Sequence, residues 1–265
     1  MADAERVATV VGDLMQRVRD GLVEHEVTYE EYNAATDWLI RLGEAGEWPL
    51  FMDVFFESVV EQMAFDDRPG SKGTIEGPYY IPEAPMLEPP YVMPMRDDEP
   101  GDRLVLSGTV RSAQDGTPLS GALIDLWQCD AKGIYSNIDP SVPEFNLRGR
   151  MYADDEGRFE VCTVVPAPYE IPKGGPTGEL VHAANWSAFR PAHLHLKVSA
   201  PGHDEVTTQL YFDNDKYLTT DVASAVKPEL ILQLDKKSSG PEMERYGLSA
   251  PYFTTTYRFD LPPRE

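Results

Sequence analysis

The sequence predicts a mainly β protein with an α-helical N-terminal appendage, its core an antiparallel β-sandwich that carries long loops. Three observations lead there. Apolar residues recur at helical spacing through about the first 65 positions, a proline-dense stretch follows, and beyond it lie seven short runs of β-branched and aromatic residues separated by turn formers. The expected organisation is a helical N-terminal region over 1–68, a Pro-rich connector over 69–102 and a sandwich domain over 103–265.

Val7, Val10, Val11, Leu14, Val18 and Leu22 make one apolar stripe, which predicts an amphipathic helix. Thr28 and Glu31 have capping-box spacing and open a second helix through Tyr32, Ala35, Leu39 and Leu42, with Gly43 and Gly46 as stop signals. Pro49 suits the first turn of a third helix, which carries Leu50, Phe51, Val54, Phe55, Val59 and Met63 until Pro69-Gly70 interrupts it. Between Arg68 and Asp102, Pro78, Pro82, Pro85, Pro89, Pro90, Pro94 and Pro100 predict extended, irregular chain. The strand runs are Leu104 to Val110, Ala122 to Trp127, Arg158 to Val164, His193 to Ser199, Val206 to Phe212, Leu230 to Leu234 and Tyr252 to Phe259. The intervals 128–157 and 165–191 are long for loops inside a compact domain, and such loops are usually functional or disordered.

Forty-five acidic residues against 23 basic ones give a formal charge of -22, so a nucleic-acid backbone would be repelled, whereas a neutral phenol would be indifferent to the field. No apolar run approaches the roughly 20 residues that span a bilayer. Met1 to Val10 lacks the basic stretch and apolar core of a secretory signal, so the expectation is a soluble, cytoplasmic protein without membrane insertion. Cys129 and Cys162 are too few for a disulfide scaffold and read as reduced structural residues.

Chemistry concentrates in Arg190-Pro191-Ala192-His193-Leu194-His195. In a strand, side chains alternate faces, so His193 and His195 point the same way about 7 Å apart, near enough to share a metal ion. Leu194, Leu196 and Val198 take the opposite, core-facing side. Imidazole suits several transition metals, so this spacing does not choose among them, and the plainer alternative is an exposed face bearing two histidines. Each long loop adds a tyrosine, Tyr135 within Gly133-Ile134-Tyr135-Ser136 and Tyr169 within Pro168-Tyr169-Glu170-Ile171-Pro172. Alone, either tyrosine reads as packing.

Together these segments resemble the intradiol ring-cleaving dioxygenases. The resemblance extends through Gly116-Thr117-Pro118-Leu119, Asp125-Leu126-Trp127, Leu147-Arg148-Gly149-Arg150, Gly175-Pro176-Thr177-Gly178 and Thr208-Gln209-Leu210, and in the N-terminal part through Gly46-Glu47-Trp48-Pro49-Leu50 and Glu76-Gly77-Pro78-Tyr79-Tyr80. It is closest to the catechol and chlorocatechol 1,2-dioxygenase branch. The resemblance implies one mononuclear non-haem Fe(III) per subunit, held by Tyr135, Tyr169, His193 and His195, with Tyr169 and His193 axial. It implies insertion of dioxygen between the hydroxyl-bearing carbons of a small aromatic diol to give a cis,cis-muconate. Tyr169 would leave the metal and accept a substrate proton, Arg190 would stabilise anionic charge on the ring, and Gln209 would orient a later intermediate. A homodimer through the N-terminal helices, in some relatives with a bound lipid, is also implied.

Carried over position by position, the ring would be flanked by Leu50, Asp53 and Val54, by Ile75, Pro78 and Tyr79, and by Val222 and Ala223. Val222 and Ala223 stand where bulkier residues are frequent, which leaves room for a chloro or alkyl group. Gln128-Cys129, after Asp-x-Trp, and Cys162, at a strand position where many relatives carry arginine, depart from the family pattern; they leave the ligands intact and bear on the residues around them. Two alternatives compete. A hydroxyquinol 1,2-dioxygenase would share every ligand and need a polar partner for the third hydroxyl, which Tyr79 or Asp53 could supply. A non-catalytic sandwich that binds a small molecule or a partner would have no use for two loop tyrosines, paired histidines and Arg190 together.

Overall fold

The computed structural model describes residues 3–65 and 67–264. The chain divides between Glu47 and Trp48 into two compact units. The first holds helices α1 (Ala4–Glu24) and α2 (Tyr29–Glu44). The Thr28 hydroxyl accepts from the Glu31 N–H at 3.2 Å while the Glu31 carboxylate accepts from the Thr28 N–H at 2.8 Å, so the capping box forms as the spacing predicts. On α1 nothing is buried, and Val7, Val11, Leu14 and Val18 stand exposed along one stripe. Among the described residues no helix is long and apolar enough to cross a membrane.

In the second unit, the expected third helix is two: α3 (Trp48–Phe55) and α4 (Glu57–Phe65). Periodicity does not register the break, because neither proline nor glycine makes it. The chain turns at Phe56, where Phe51 packs on Phe55 and Phe56 with centroids 5.2 and 5.6 Å away. The turn lets Glu57 accept from the Glu76 N–H at 3.0 Å. The helices of this unit are therefore tied to the connector.

The strands are β1 (Tyr91–Val92), β2 (Arg103–Ser112), β3 (Leu123–Trp127), β4 (Arg148–Tyr152), β5 (Arg158–Val164), β6 (Tyr169–Glu170), β7 (Phe189–Arg190), β8 (His193–Ser199), β9 (Val206–Phe212), β10 (Ile231–Leu232), β11 (Asp235–Lys237) and β12 (Tyr252–Leu261). They form two five-stranded sheets, ordered β1-β5-β2-β12-β11 and β10-β9-β8-β3-β4, and a β6-β7 ribbon. Helix α5 (Pro176–Ala183) interrupts the second long interval, and α6 (Pro241–Tyr246) precedes β12. The core lies between the sheets, with Leu104, Leu106, Val161 and Phe259 from one and Ile124, Leu126, Leu194, Leu196, Val198 and Leu210 from the other. Each such side chain contributes about 1.5–3 kcal/mol when fully removed from water.

The antiparallel expectation needs correcting. β2 and β12 pair in parallel from Leu104↔Phe253 to Ser112↔Leu261, and β1-β5 and β9-β10 are parallel as well. A hairpin permits only antiparallel neighbours, but a strand returning after a long crossover can run either way, and alternation of apolar residues is blind to direction. The first long interval also contains β4, whose Arg148-Gly149-Arg150 start carries no strand-like pattern. That strand is fixed by pairing to β3, Trp127↔Arg148 through Leu123↔Tyr152.

Candidate metal centre

Alternation along β8 puts Leu194, Leu196 and Val198 in the core and His193 and His195 on the other face, under the loops. That face is not solvent: His193 is 0% exposed and His195 2%. Cross-strand pairing then sets the neighbours. Trp127 on β3 and Gln209 on β9 flank His195, and Tyr211 lies opposite His193. Trp127 stacks on the His195 ring at 4.7 Å and 9°.

The two tyrosines come from the two long intervals, Tyr135 after a turn and Tyr169 on the short strand β6. Asp130 accepts from the Lys132 and Ile134 N–H groups at 2.8 and 3.0 Å and curls the chain so that Tyr135 follows. Gly133 in that turn has φ +81, and a Cβ on it would lie 2.7 Å from the Tyr169 Cβ, so only glycine permits the approach. Tyr169 opposes Arg190 in the β6-β7 ribbon.

The polar ends converge. The His193 and His195 Nε2 atoms are 3.0 Å apart, the Tyr135 oxygen is 3.5 Å from His193 Nε2, and the Tyr135 and Tyr169 rings meet edge to face at 5.4 Å. Tyr169 packs 5.6 Å from the His193 ring. Burial drives His193 down to about 3, and burial followed by the neighbouring His193 holds His195 well below its usual range, so both imidazoles are neutral. Burial also pushes both phenols above their ordinary value.

His193 Nδ1 is 2.6 Å from the Pro191 carbonyl, which fixes a proton there and leaves the Nε2 lone pair facing inward. His195 Nδ1 is buried without a hydrogen-bond partner. Two neutral nitrogens and two phenols gathered under one set of loops fit a shared hard cation, with positive charge the means of ionising the phenols. Among the described residues, no group of three or more His, Cys, Asp and Glu could hold a metal, so such an ion at this place would depend on the tyrosines.

Arg190, 4% exposed, pairs with Asp221 through Nε and Oδ1 at 3.0 Å and donates from Nη2 to Gln209 Oε1 at 2.9 Å. Burial opposes both charges. Mutual attraction nevertheless raises the arginine and holds the Asp221 carboxyl below the usual carboxylate range. The Gln209 amide is held at both ends, since Nε2 donates to Ile75 O at 2.8 Å and Oε1 also accepts from Tyr211.

The expected ring-flanking residues fall into three groups. Leu50, Val54 and Val222 pack with Ile171, Ile75 and Ala223 pack with Ala225, and Tyr79 lies 4.8 Å from the Tyr135 ring. A Cβ on Gly77 would lie 3.7 Å from His195 Cε1, so the 75–79 segment runs along the donors. Asp53 is half-buried, its carboxyl raised by burial and then by Glu76, whereas Pro78 is exposed. Asp221 and Tyr211 carried no sequence signal. Trp127 and Arg148 stood inside matching segments without a role attached.

Known proteins supply the frame for this arrangement. A family described as "Dioxygenase" matches residues 75–262, and one described as "Catechol dioxygenase N terminus" matches residues 4–72. The chain belongs to the intradiol ring-cleaving dioxygenases, in their catechol branch. It is 42% identical over 234 residues to a chlorocatechol 1,2-dioxygenase of Rhodococcus opacus, covering 87% of this chain and 91% of that protein. Among solved structures, the 3-chlorocatechol 1,2-dioxygenase of Rhodococcus opacus 1CP is similar with a TM-score of 0.93 and 48% identity, covering 99% and 100% of the two chains. The chlorocatechol 1,2-dioxygenase of Pseudomonas putida has a TM-score of 0.86 and 33% identity over 98% and 100%. This dioxygenase is thus an enzyme of a family that implies non-haem iron.

Proposed function

We propose that this dioxygenase cleaves catechol and chloro- or alkyl-substituted catechols between their hydroxyl-bearing carbons, giving cis,cis-muconates. One Fe(III) per subunit is held by Tyr135, Tyr169, His193 and His195. The observation that carries the reading is the buried convergence of two neutral imidazoles and two phenols, with the nitrogens 3.0 Å apart. Similarity to chlorocatechol 1,2-dioxygenases over most of the chain supports the chlorinated substrates, as do the modest Val222 and Ala223 side chains.

Ferric iron bound by these four side chains would supply Lewis acidity to the diol. The protein does the rest. Tyr169 Oη accepts a proton from an incoming hydroxyl, so substrate charge develops without a solvent base. Arg190, clamped by Asp221, keeps a fixed positive charge beside the site and stabilises negative charge as the ring meets dioxygen. Gln209 acts chiefly by holding: its amide joins Arg190 to the Ile75 carbonyl and aligns the wall with the cation. Leu50, Val54, Ile75, Val222 and Ala223 offer apolar contact to a planar ring and exclude water, while Asp53, Pro78 and Tyr79 complete the rim.

Every atom of catechol and dioxygen enters the product. With isotopically labelled dioxygen, each muconate carboxylate therefore gains one labelled oxygen. A ring-opened aldehyde, or unlabelled product, would refute intradiol cleavage. The exposed apolar stripe of α1 supports a homodimer through the N-terminal helices, and a monomeric mass in light scattering would count against it. A lipid at that interface has no support among the described residues.

A further inference from the structure

Arg148 is 1% exposed, and no carboxylate among the described residues forms an ion pair with it. A buried cation without an ion pair is costly unless hydrogen bonds satisfy it. Its donors go to two segments far apart in sequence. Nε and Nη2 donate to the Ser136 hydroxyl and carbonyl at 3.0 and 2.9 Å, and Nη1 donates to the Tyr79 carbonyl at 2.7 Å. Ser136 follows Tyr135 directly, and its hydroxyl donates onward to Asn146 O at 2.7 Å. The guanidinium carbon lies 5.8 Å from the centre of the Tyr135 ring. Arg150 continues the pattern on the same strand, donating to Ala84 O at 2.7 Å. β4 thereby straps the connector to the loop that carries Tyr135.

We infer that Arg148 is a positioning residue that locks the Tyr135 loop to the Tyr79 wall, so that the geometry of one metal ligand and the fit of the substrate ring are set by the same side chain. The inference rests on the reading of Tyr135 as a ligand. A planar fork is needed: its three nitrogens reach three acceptors at once, whereas a lysine ammonium at the same charge offers donors from a single atom. The hydrogen-bond acceptors are all neutral oxygens, so the fork sets geometry, while Tyr135 and the Asp125 carboxylate add electrostatic support to the buried charge.

The test compares wild-type protein with Arg148→Lys and Ser136→Ala, each loaded with iron, by the tyrosinate-to-iron absorption, the rate of iron loss to a chelator, KM and kcat for catechol, and Tm. In Arg148→Lys the absorption is displaced, iron is lost about 10- to 100-fold faster, as for other residues that orient metal ligands, and KM rises more than kcat falls. Ser136→Ala removes one bond of the three and moves each readout the same way by less, with the fold retained. An arginine of merely structural worth would lower Tm and leave the absorption, iron loss and KM of the folded variants at wild-type values, which would overturn the inference. A wild-type protein without the absorption would remove Tyr135 as a ligand, and the inference with it.

Discussion

Replacing Asp221 by asparagine removes the carboxylate paired with a buried arginine and sets an amide NH2 against donors that one carboxylate oxygen accepts from. Arg190 and Asp221 side chains are 5% and 3% exposed, and both carboxylate oxygens take part, at 3.0 and 3.2 Å. Asp221 also accepts from the Ala223 and Ala225 N–H groups at 3.2 and 3.1 Å, so it holds the turn that presents Ala223. Breaking a buried pair from one side costs about 3–5 kcal/mol, because the remaining charge is stranded. For a domain of this size each kcal/mol lowers Tm by about 2–4 °C, so the expected drop is about 6–20 °C at neutral pH. Acid provides the sign. The Asp221 carboxyl is held below its unfolded value, so its contribution is complete above about pH 3.9 and is lost as pH falls through the folded-state pKa. The gap between wild type and Asp221→Asn, followed by thermal unfolding of the metal-free proteins, must therefore narrow only in acid. A gap below about 2 °C at neutral pH, or one that widens as pH falls below about 4, would refute the reasoning.

Further outcomes follow from the same geometry. Gly133→Ala forces a side chain into left-handed backbone and against Tyr169, so stability falls by about 1–3 kcal/mol and turnover falls with it, which denaturant titration and oxygen uptake would detect. Tyr169→Phe keeps the fold and sharply lowers turnover, and wild-type turnover in that variant would remove the proton-accepting role. Ala223→Val fills space beside Ile75, and a methyl-sized change in a pocket is worth about 1–3 kcal/mol, so the kcat/KM ratio of chlorocatechol to catechol should fall; an unchanged ranking would place the wall elsewhere. The metal-free phenols are protonated at neutral pH, so loading iron must release their protons and affinity must rise with pH, as proton release in weak buffer would report.

What the sequence discloses depends on whether a residue belongs to a periodic pattern. His193 and His195 were legible because period-two alternation with Leu194 and Leu196 assigns both faces of β8 at once. The Thr28 capping box was legible for the same local reason. Tyr135 lies in a loop and Tyr169 on a two-residue strand, both too short for periodicity, and only resemblance to a family singled them out. Arg148 and Arg150 open a segment without a strand-like pattern, yet Arg148 is buried because Ser136 and the Tyr79 carbonyl satisfy it, and the Tyr79 and Ala84 carbonyls that the two arginines reach lie 69 and 66 positions earlier. Asp221 pairs with Arg190 across 31 positions, a distance at which no spacing rule operates. The parallel β2-β12 pairing and the turn at Phe56 likewise arise from long-range packing, to which local hydrophobic patterns do not respond.

The most direct test of the central claim is the visible spectrum of iron-loaded protein, with its iron content, before and after anaerobic addition of catechol. The account predicts one iron per subunit and a broad absorption from tyrosinate to ferric iron that shifts when catechol binds. A colourless protein that retains negligible iron after reconstitution would contradict it and return Tyr135, Tyr169, His193 and His195 to packing roles.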